Sequence, residues 1–182
     1  MMDPINFFIE DNIDLIDQNK FAELYNEATD RWRFPNNRNI SLLTEKLLSA
    51  GVNPLEYLDY IPLCMFWESE LTKIEIPETI TFIENDAFNG SHFTEITIPA
   101  SCDSIGPNAF SYSQISRIRI LNPNCALDKE VFMDSYGPQT SNLKCIVYNG
   151  TIKQFREKYK NINLPRKFIL QANDGNTFME QY

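Results

Sequence analysis

The sequence predicts an α/β solenoid, in which a short parallel sheet is flanked by a helical N-terminal region and a small α+β C-terminal cap. A seven-residue phrase that begins at Leu71 recurs at Phe93 and again at Ile115, a period of 22 residues. Apolar residues keep the same spacing further along each copy: Ile83, Ile105 and Leu127, then Phe88, Phe110 and Phe132. A fixed period between about 20 and 50 residues is typical of a solenoid, because one copy cannot bury its apolar face and must stack on the next.

The chain is acidic, and its charge is unevenly distributed. Its 182 residues carry a net charge of −9, and the first 66 residues contain 5 basic and 11 acidic ones. This balance argues against direct binding of nucleic acid or of an anionic membrane, since both attract basic surfaces. No run approaches the ~20 apolar residues of a membrane span, and the N-terminus lacks the pattern of a signal peptide. We therefore expect no membrane partner and a cytoplasmic location.

The N-terminal region, residues 1–50, is predicted to be helical. In its first half, apolar residues recur at three- and four-residue spacings among acidic ones, as in short amphipathic helices. A further helix is predicted over residues 42–48 from a narrow stripe of leucines. Asn39 or Ser41 is expected to cap its start, and Gly51 to follow its end in a left-handed conformation.

Residues 51–70 are predicted to form a degenerate copy of the repeat. Counting back 22 residues from the repeat positions reaches apolar residues in register: Leu58, Ile61, Met65 and Phe66. Its strand portion is poor, since Val52 and Pro54 stand where the next copy has Ile74 and Ile76. This copy is expected to cap the solenoid, because an open end would expose apolar surface and unpaired strand edges.

Residues 71–148 are predicted to hold the full repeats. In each copy, isoleucines alternate with polar residues, which is the period-2 pattern of a half-buried strand. Pro77 and Pro99 are expected to end the first two strands, because proline removes a backbone donor. The strand predicted over residues 143–148 starts 28 residues after the preceding one, so six extra residues are assigned to the loop 134–142.

Residues 149–182 are predicted to form the C-terminal cap and tail. Thr151 follows a turn and is placed to cap a short helix over residues 152–159. Residues 168–170 are predicted to be one last apolar strand, closed by a turn at Asn173-Asp174-Gly175.

The phrase Leu-Thr-x-Ile-x-Ile-Pro of residues 71–77, followed by Ile83 and Ala87-Phe88, resembles the BspA-type leucine-rich repeat. That family is found in bacterial surface proteins, in some protists and in phage genomes. Residues 148–151, with Gln154-Phe155 after them, are similar to the family's usual C-terminal cap, which commonly has Trp in place of this Phe. The resemblance implies a leucine-rich-repeat parallel sheet.

Two departures from the family pattern bear on the expected source. The usual Ile-Gly is kept only at Gly106, and the helical N-terminal region replaces the signal sequence of a surface protein. The chain looks more like the short intracellular or phage-encoded members, which implies the host cytoplasm if a phage encodes it.

The sequence shows no catalytic constellation. The single histidine, His92, lies in a turn between repeats with no serine or cysteine motif around it. The four cysteines show neither a CxxC pair nor a histidine cluster, so we predict buried free thiols: Cys64, Cys102, Cys125 and Cys145. Cys102 and Cys125 lie about one repeat apart and are expected to stay reduced. We therefore expect no enzyme, no cofactor and no metal.

Polar side chains that point out of the predicted sheet are the candidate binding residues. Rungs lie ~4.8 Å apart, so the residues form two columns: Lys73, Glu95 and Arg117, then Glu75, Thr97 and Arg119. One interpretation is that the columns only stabilise the sheet. The other is that this face binds a protein partner, as in leucine-rich repeats generally, with the arginines pairing its carboxylates. Three tyrosines are candidate aromatic anchors: Tyr112, Tyr136 and Tyr148.

These observations favour a non-catalytic protein–protein interaction module, encoded by a phage or a bacterium, that binds and modulates a host or partner protein. Two alternatives stay open. An acidic nucleic-acid mimic, an inhibitor of the anti-defence type, would act through the N-terminal region and compete with DNA for a host protein. A structural subunit of a particle or appendage would self-associate or assemble with a few fixed proteins.

Overall fold

The chain folds into two β-sheets that share one hydrophobic core. The computed structural model describes residues 38–133, 142–175 and 177–181. The helices predicted in the first 37 residues, most of the predicted loop 134–142 and the candidate anchor Tyr136 lie outside the described residues.

The described elements are two helices, a 3-10 turn and nine strands. Helix α1 spans Arg38–Ser49, the 3-10 turn spans Pro54–Glu56 and helix α2 spans Ile152–Lys158. The strands are β1 (Tyr60–Ile61), β2 (Phe82–Ile83), β3 (Glu95–Ile98), β4 (Ser104–Ile105), β5 (Arg117–Ile120), β6 (Ala126–Leu127), β7 (Cys145–Tyr148), β8 (Lys167–Ala172) and β9 (Thr177–Gln181).

From β2 to β7, successive strands alternate between two sheets. The smaller sheet has the order β1-β2-β4-β6 and is parallel throughout. The larger sheet has the order β3-β5-β7-β8-β9 and is parallel except for β9, which runs antiparallel to β8. The predicted parallel-sheet solenoid is confirmed. The smaller sheet was not predicted, because its strands are only two residues long and show no alternation of their own.

A column of phenylalanine rings runs through the core. Phe66, Phe88, Phe110 and Phe132 stack in sequence, with ring centroids 5.0, 5.4 and 5.8 Å apart. Each ring lies 22 residues from the next and is at most 2% exposed. The predicted register is therefore confirmed, and it includes the degenerate copy, since Phe66 starts the column.

Left-handed turn residues recur with the same period. Cys64, Asp86 and Asn108 have φ values of 57°, 55° and 57°. Four residues after each of these, Glu68, Gly90 and Tyr112 have φ values of 49°, 69° and 55°. This conformation is uncommon for residues other than glycine, asparagine and aspartate, so the geometry of the repeat, and not the local residue, sets it at Tyr112.

Helix α1 packs on the first copies of the repeat. Leu43 and Leu47 are buried in the shared core, and Gly51 follows the helix with φ 83°, as predicted. The predicted start cap is wrong, because the helix already begins at Arg38. Ser41 lies inside the helix, where its Oγ donates to the Arg38 carbonyl at 3.1 Å.

Arg38 and Glu45 attach this helix to the turn that follows the degenerate copy. Arg38 Nη1 donates to the carbonyl oxygens of Trp67, at 3.3 Å, and of Glu68. Glu45 Oε1 lies 3.5 Å from Arg38 Nη1 and accepts from the Glu70 backbone N–H at 3.1 Å. These contacts fix α1 against the solenoid.

Residues 71–77, predicted to be the first full strand, are not part of either sheet. In the described part of the chain, no backbone hydrogen bond joins them to β3. Ile74 and Ile76 are half-buried against the core instead. The preceding copy offers no strand at this position, and the larger sheet begins at β3.

The C-terminal part continues the larger sheet. Thr151 caps α2 through a capping box with Gln154, and the helix ends one residue before the predicted boundary. Phe155 and Tyr159 pack edge-on against the ring of Tyr148, with centroids 5.3 and 5.9 Å from it. None of the helices within the described ranges is long and apolar enough to cross a membrane.

Candidate functional site

The outward face of strands β3 and β5 carries four of the six predicted binding residues. The register places Glu95 opposite Arg117 and Thr97 opposite Arg119. Their inward neighbours are buried isoleucines, so the predicted alternation is confirmed for these two strands. Lys73 and Glu75 do not continue the two columns, because residues 71–77 are not a strand.

The predicted column of alternating charge does not form ion pairs. Arg117 Nη2 donates to Gln171 Oε1 at 3.1 Å, and no ion pair joins Arg117 to Glu95. Gln171 lies on β8, two strand spacings or about 9.6 Å from β5. The half-buried side chain of Arg117 therefore extends across β7, away from Glu95.

Among the described residues of β3 and β5, Arg119 is the cation that remains free for a partner. Its side chain is exposed, and within the described residues it has no hydrogen bond or ion pair. An exposed guanidinium offers five donors in a plane and can meet a carboxylate with two parallel hydrogen bonds. Arg119 is therefore better placed than Arg117 for the predicted pairing with a partner.

A cleft of about 470 Å³ opens between residues 74–76 and strands β3 and β5. Five of the six predicted residues form its polar walls: Glu75, Glu95, Thr97, Arg117 and Arg119. Its apolar lining is Ile74, Ile76, Ile96 and Leu121. The cleft exists because the first full copy stays apart from the sheet. Lys73 is exposed and is not among the lining residues.

Among the described strands, β3 is the edge of the larger sheet and forms one wall of the cleft. The carbonyl oxygens of Thr94 and Ile98 accept from the β5 side, from Ser116 N at 2.8 Å and Leu121 N at 3.1 Å. Backbone groups of successive residues in a strand point to opposite sides. The N–H and C=O groups of Glu95 and Thr97 therefore point away from β5, and no backbone hydrogen bond from the described residues reaches them.

Apolar residues extend this face beyond β5. Val147 on β7 is half-buried, and Ile169 on β8 is 36% exposed. Sequence reasoning missed both, because strands of uninterrupted apolar residues do not reveal which side chains point outward. The only sequence signal is that Lys167 and Gln171, two residues before and after Ile169, are polar. Alternate residues of a strand point to the same face, so Ile169 is expected to face outward with them.

Of the tyrosines proposed as anchors, only Tyr112 is exposed within the described residues. Its side chain is 54% exposed in a left-handed turn. Tyr148 is 1% exposed, and its hydroxyl donates to the Pro123 carbonyl at 2.7 Å. The prediction of Tyr148 as an anchor is therefore wrong, because its ring belongs to the core.

The other residues that could carry chemistry are His92 and the four cysteines. His92 is exposed in its turn, and its backbone N–H donates to Ser69 O at 2.9 Å. All four cysteines are buried free thiols, as predicted. The hydrogen bond between the thiols of Cys102 and Cys125, together with burial, raises the pKa of Cys125. Within the described ranges, His, Cys, Asp and Glu side chains form no group of three that could hold a metal ion.

Comparison with known proteins identifies the repeat. A family model described as the BspA type leucine-rich repeat region, with six copies, matches residues 59–169. No curated protein and no solved structure matches the chain. The matched range runs from the start of the smaller sheet into β8 and covers more than half of the 182 residues. The chain therefore belongs to the BspA-type leucine-rich repeat family.

Proposed function

We propose that this chain is a non-catalytic module that binds a protein partner in the cleft between residues 74–76 and β3. Leucine-rich repeats commonly serve as interaction scaffolds, and a solenoid holds its surface residues in fixed geometry. The observation that carries the proposal is the convergence of five outward residues, distant in sequence, on one cleft with an open strand edge.

The partner contributes an extended segment that adds to the edge of β3. The outward backbone groups of Glu95 and Thr97 supply hydrogen bonds for such a strand, a recognition mode in which the backbone gives affinity and side-chain pockets give specificity. Ile74 and Ile76 offer apolar contacts on the opposite wall. The cleft therefore provides both sides of a site for a single extended chain.

The charged side chains of the cleft select which partner segment binds. Arg119 and Arg117 line the side of the cleft formed by β5, and Glu75 lines the opposite side. A segment with a carboxylate directed towards β5 pairs with Arg119, and a rigid surface limits the ordering cost of binding to the segment itself. We extend the proposal to modulation of a host or partner protein, whose activity is expected to change when this chain is added.

Replacing Thr97 by proline tests strand addition directly. Proline removes the N–H that points into the cleft and is tolerated on an edge strand, whereas Thr97→Val keeps the N–H. Partner capture is expected to fall at least about tenfold, or ~1.4 kcal/mol, in the first variant and to persist in the second. Equal capture by the two variants, both with wild-type melting temperatures, would exclude backbone pairing at β3.

Reversing the charge of Arg119 tests the side-chain contact. Arg119→Glu is expected to weaken capture by about tenfold or more, while Arg166→Glu, an exposed reversal outside the cleft, leaves it unchanged. A photocrosslinking residue at Thr97 should label the partner, and one at Lys153 should not. Exposed charges contribute little to stability, so both reversals should fold.

A deletion of residues 1–37 separates this proposal from the acidic-mimic alternative. It leaves α1, and its buried leucines, in place. Capture that survives Arg119→Glu and is lost on this deletion, with DNA competing for the captured protein, would transfer the function to the N-terminal region. Self-association in mass photometry without a captured partner would favour a structural subunit.

A further inference from the structure

The smaller sheet carries a second surface that the proposed function does not use. Its outward residues form one register column: Tyr60, Phe82, Ser104 and Ala126. The rings of Tyr60 and Phe82 stack with centroids 4.8 Å apart and planes 5° from parallel. Both rings are half-buried, whereas Ser104 and Ala126 are exposed and small. The ring column therefore stops after its second member.

The end of the column leaves room for a planar group. Tyr60 covers one face of the Phe82 ring, and the other face looks along the column over Ser104. Rungs lie ~4.8 Å apart, so a flat group placed over Ser104 continues the stack at the spacing of the two rings. A groove of about 500 Å³ is lined at this place by Phe82, Ser104 and Ala126.

Two immobilised carboxylates line the same groove. Glu84 Oε2 accepts the Leu63 backbone N–H at 2.6 Å, and Asp128 Oδ1 accepts that of Glu130 at 2.8 Å. Each carboxylate is held by one oxygen and keeps the other for a ligand. Gly106 lies between them in the repeat and carries no side chain; the Asn85 side chain lies over it, and its Oδ1 adds a further oxygen acceptor to the groove.

The groove is anionic as well as flat. Lysine and arginine are absent from its lining residues. The nearest cation in sequence, Lys129, lies 3.4 Å from the carboxylate of Glu130. A ligand that fits must therefore be positively charged, rich in donors and able to stack on an aromatic ring.

We propose that this groove binds an arginine side chain of a basic partner segment. The guanidinium is planar, carries only donors and stacks on aromatic faces, whereas the lysine ammonium has no plane. Stacked on Phe82, it donates to the free oxygens of Glu84 and Asp128. This site lies on the other sheet from the cleft and takes a partner of opposite charge, so it stands independently of the proposed function.

Peptide titration into the full chain tests the proposal. The probe is a (Gly-Arg)6 peptide, and a (Gly-Lys)6 peptide matches its charge and length. Calorimetry at physiological salt is expected to show saturable binding of the arginine peptide and at least about tenfold weaker binding of the lysine peptide, a difference of ~1.4 kcal/mol.

Variants of the groove locate the binding. Ser104→Tyr extends the ring column into the slot and should weaken binding of the arginine peptide by about tenfold, while Thr72→Tyr, at another exposed position, should not. The double variant Glu84→Gln/Asp128→Asn keeps an oxygen acceptor for each backbone N–H but removes two charges. Its loss of arginine-peptide binding should exceed the loss caused by Glu70→Gln/Glu157→Gln, which removes two charges at exposed sites elsewhere.

Three results would overturn the proposal: no saturable binding, equal binding of the two peptides, or equal losses in the two double variants. The last two would mean that the net charge of −9 attracts any polycation. Thr97→Pro, which acts on the other sheet, should leave peptide binding unchanged.

Discussion

Replacement of Phe88 by alanine tests whether the ring column carries the fold. Phe88 is fully buried and stacks on Phe66 and Phe110 at 5.0 and 5.4 Å, while Phe93 meets it edge-on at 5.6 Å. A buried Phe→Ala change costs about 3–5 kcal/mol, and the loss of three ring contacts, worth ~0.5–1.5 kcal/mol each, indicates the upper part of that range. Domains are stable by only ~5–15 kcal/mol, so the variant should lose at least about a quarter of its stability.

Urea unfolding followed by circular dichroism measures this loss. Phe82→Ala is the matched control, because the same atoms are removed from a half-buried ring with one stacked neighbour. Its expected cost is about 1 kcal/mol, the worth of one aromatic pair with part of the area burial. Equal costs for the two variants, or less than about 1 kcal/mol for Phe88→Ala, would refute the column as the core of the solenoid.

Three further predictions concern the turns and the thiols. Tyr112→Gly should be about 1 kcal/mol more stable than Tyr112→Ala in urea melts, because both lose the ring but only alanine keeps the left-handed strain at φ 55°. Burial raises the pKa of Asp86, and the hydrogen bond from Asn89 opposes this shift. Folding therefore disfavours the ionised carboxylate, and the stability of the fold falls as the pH rises through the raised pKa. Asp86→Asn should therefore raise the melting temperature at pH 7 and lose this advantage below the ordinary pKa of 3.8. Iodoacetamide should leave Cys102 and Cys125, each 0% exposed, unmodified in the native chain and alkylate both after unfolding, as intact-mass analysis would show; rapid native alkylation, or a disulfide in the untreated sample, would contradict the buried, reduced thiols.

Periodicity predicted the inward positions well because packing constrains them in every copy. Ile83, Ile105 and Leu127 occupy one place and the phenylalanines another, and each must fit a neighbour 22 residues away. Even the degenerate copy follows this constraint, since Phe66 stacks on Phe88 although its strand portion is lost. Core positions that differ between copies, such as Ala87, Ala109 and Val131, remain apolar.

The sequence predicted less well where pairing depends on a neighbour. Residues 71–77 carry the repeat phrase as fully as the strand after them, yet they remain outside the sheet. A strand gains its hydrogen bonds from partners, and Val52 and Pro54 show that no partner strand precedes this copy. The local sequence pattern alone does not show whether a partner strand is present. The destination of Arg117 was missed for the same reason, since Gln171 lies 54 residues away.

The defect in the first copy is what makes the candidate site. In an uninterrupted solenoid, the backbone of residues 71–77 would pair with Glu95 and Thr97 and bury the edge of β3. Exposed edges promote unwanted association, and a chain that only needed a stable solenoid would gain from closing this one. Here β3 is the edge of the larger sheet among the described strands, and residues 74–76 face it across the cleft. We propose that the space between them admits one extended segment. In the proposed binding mode, half-buried Ile74 and Ile76 would restrict the cleft to a narrow chain, and Arg119 would add a charge requirement. The same arrangement that leaves the edge unpaired thus limits what can pair with it, which is the property expected of a selective strand-addition site.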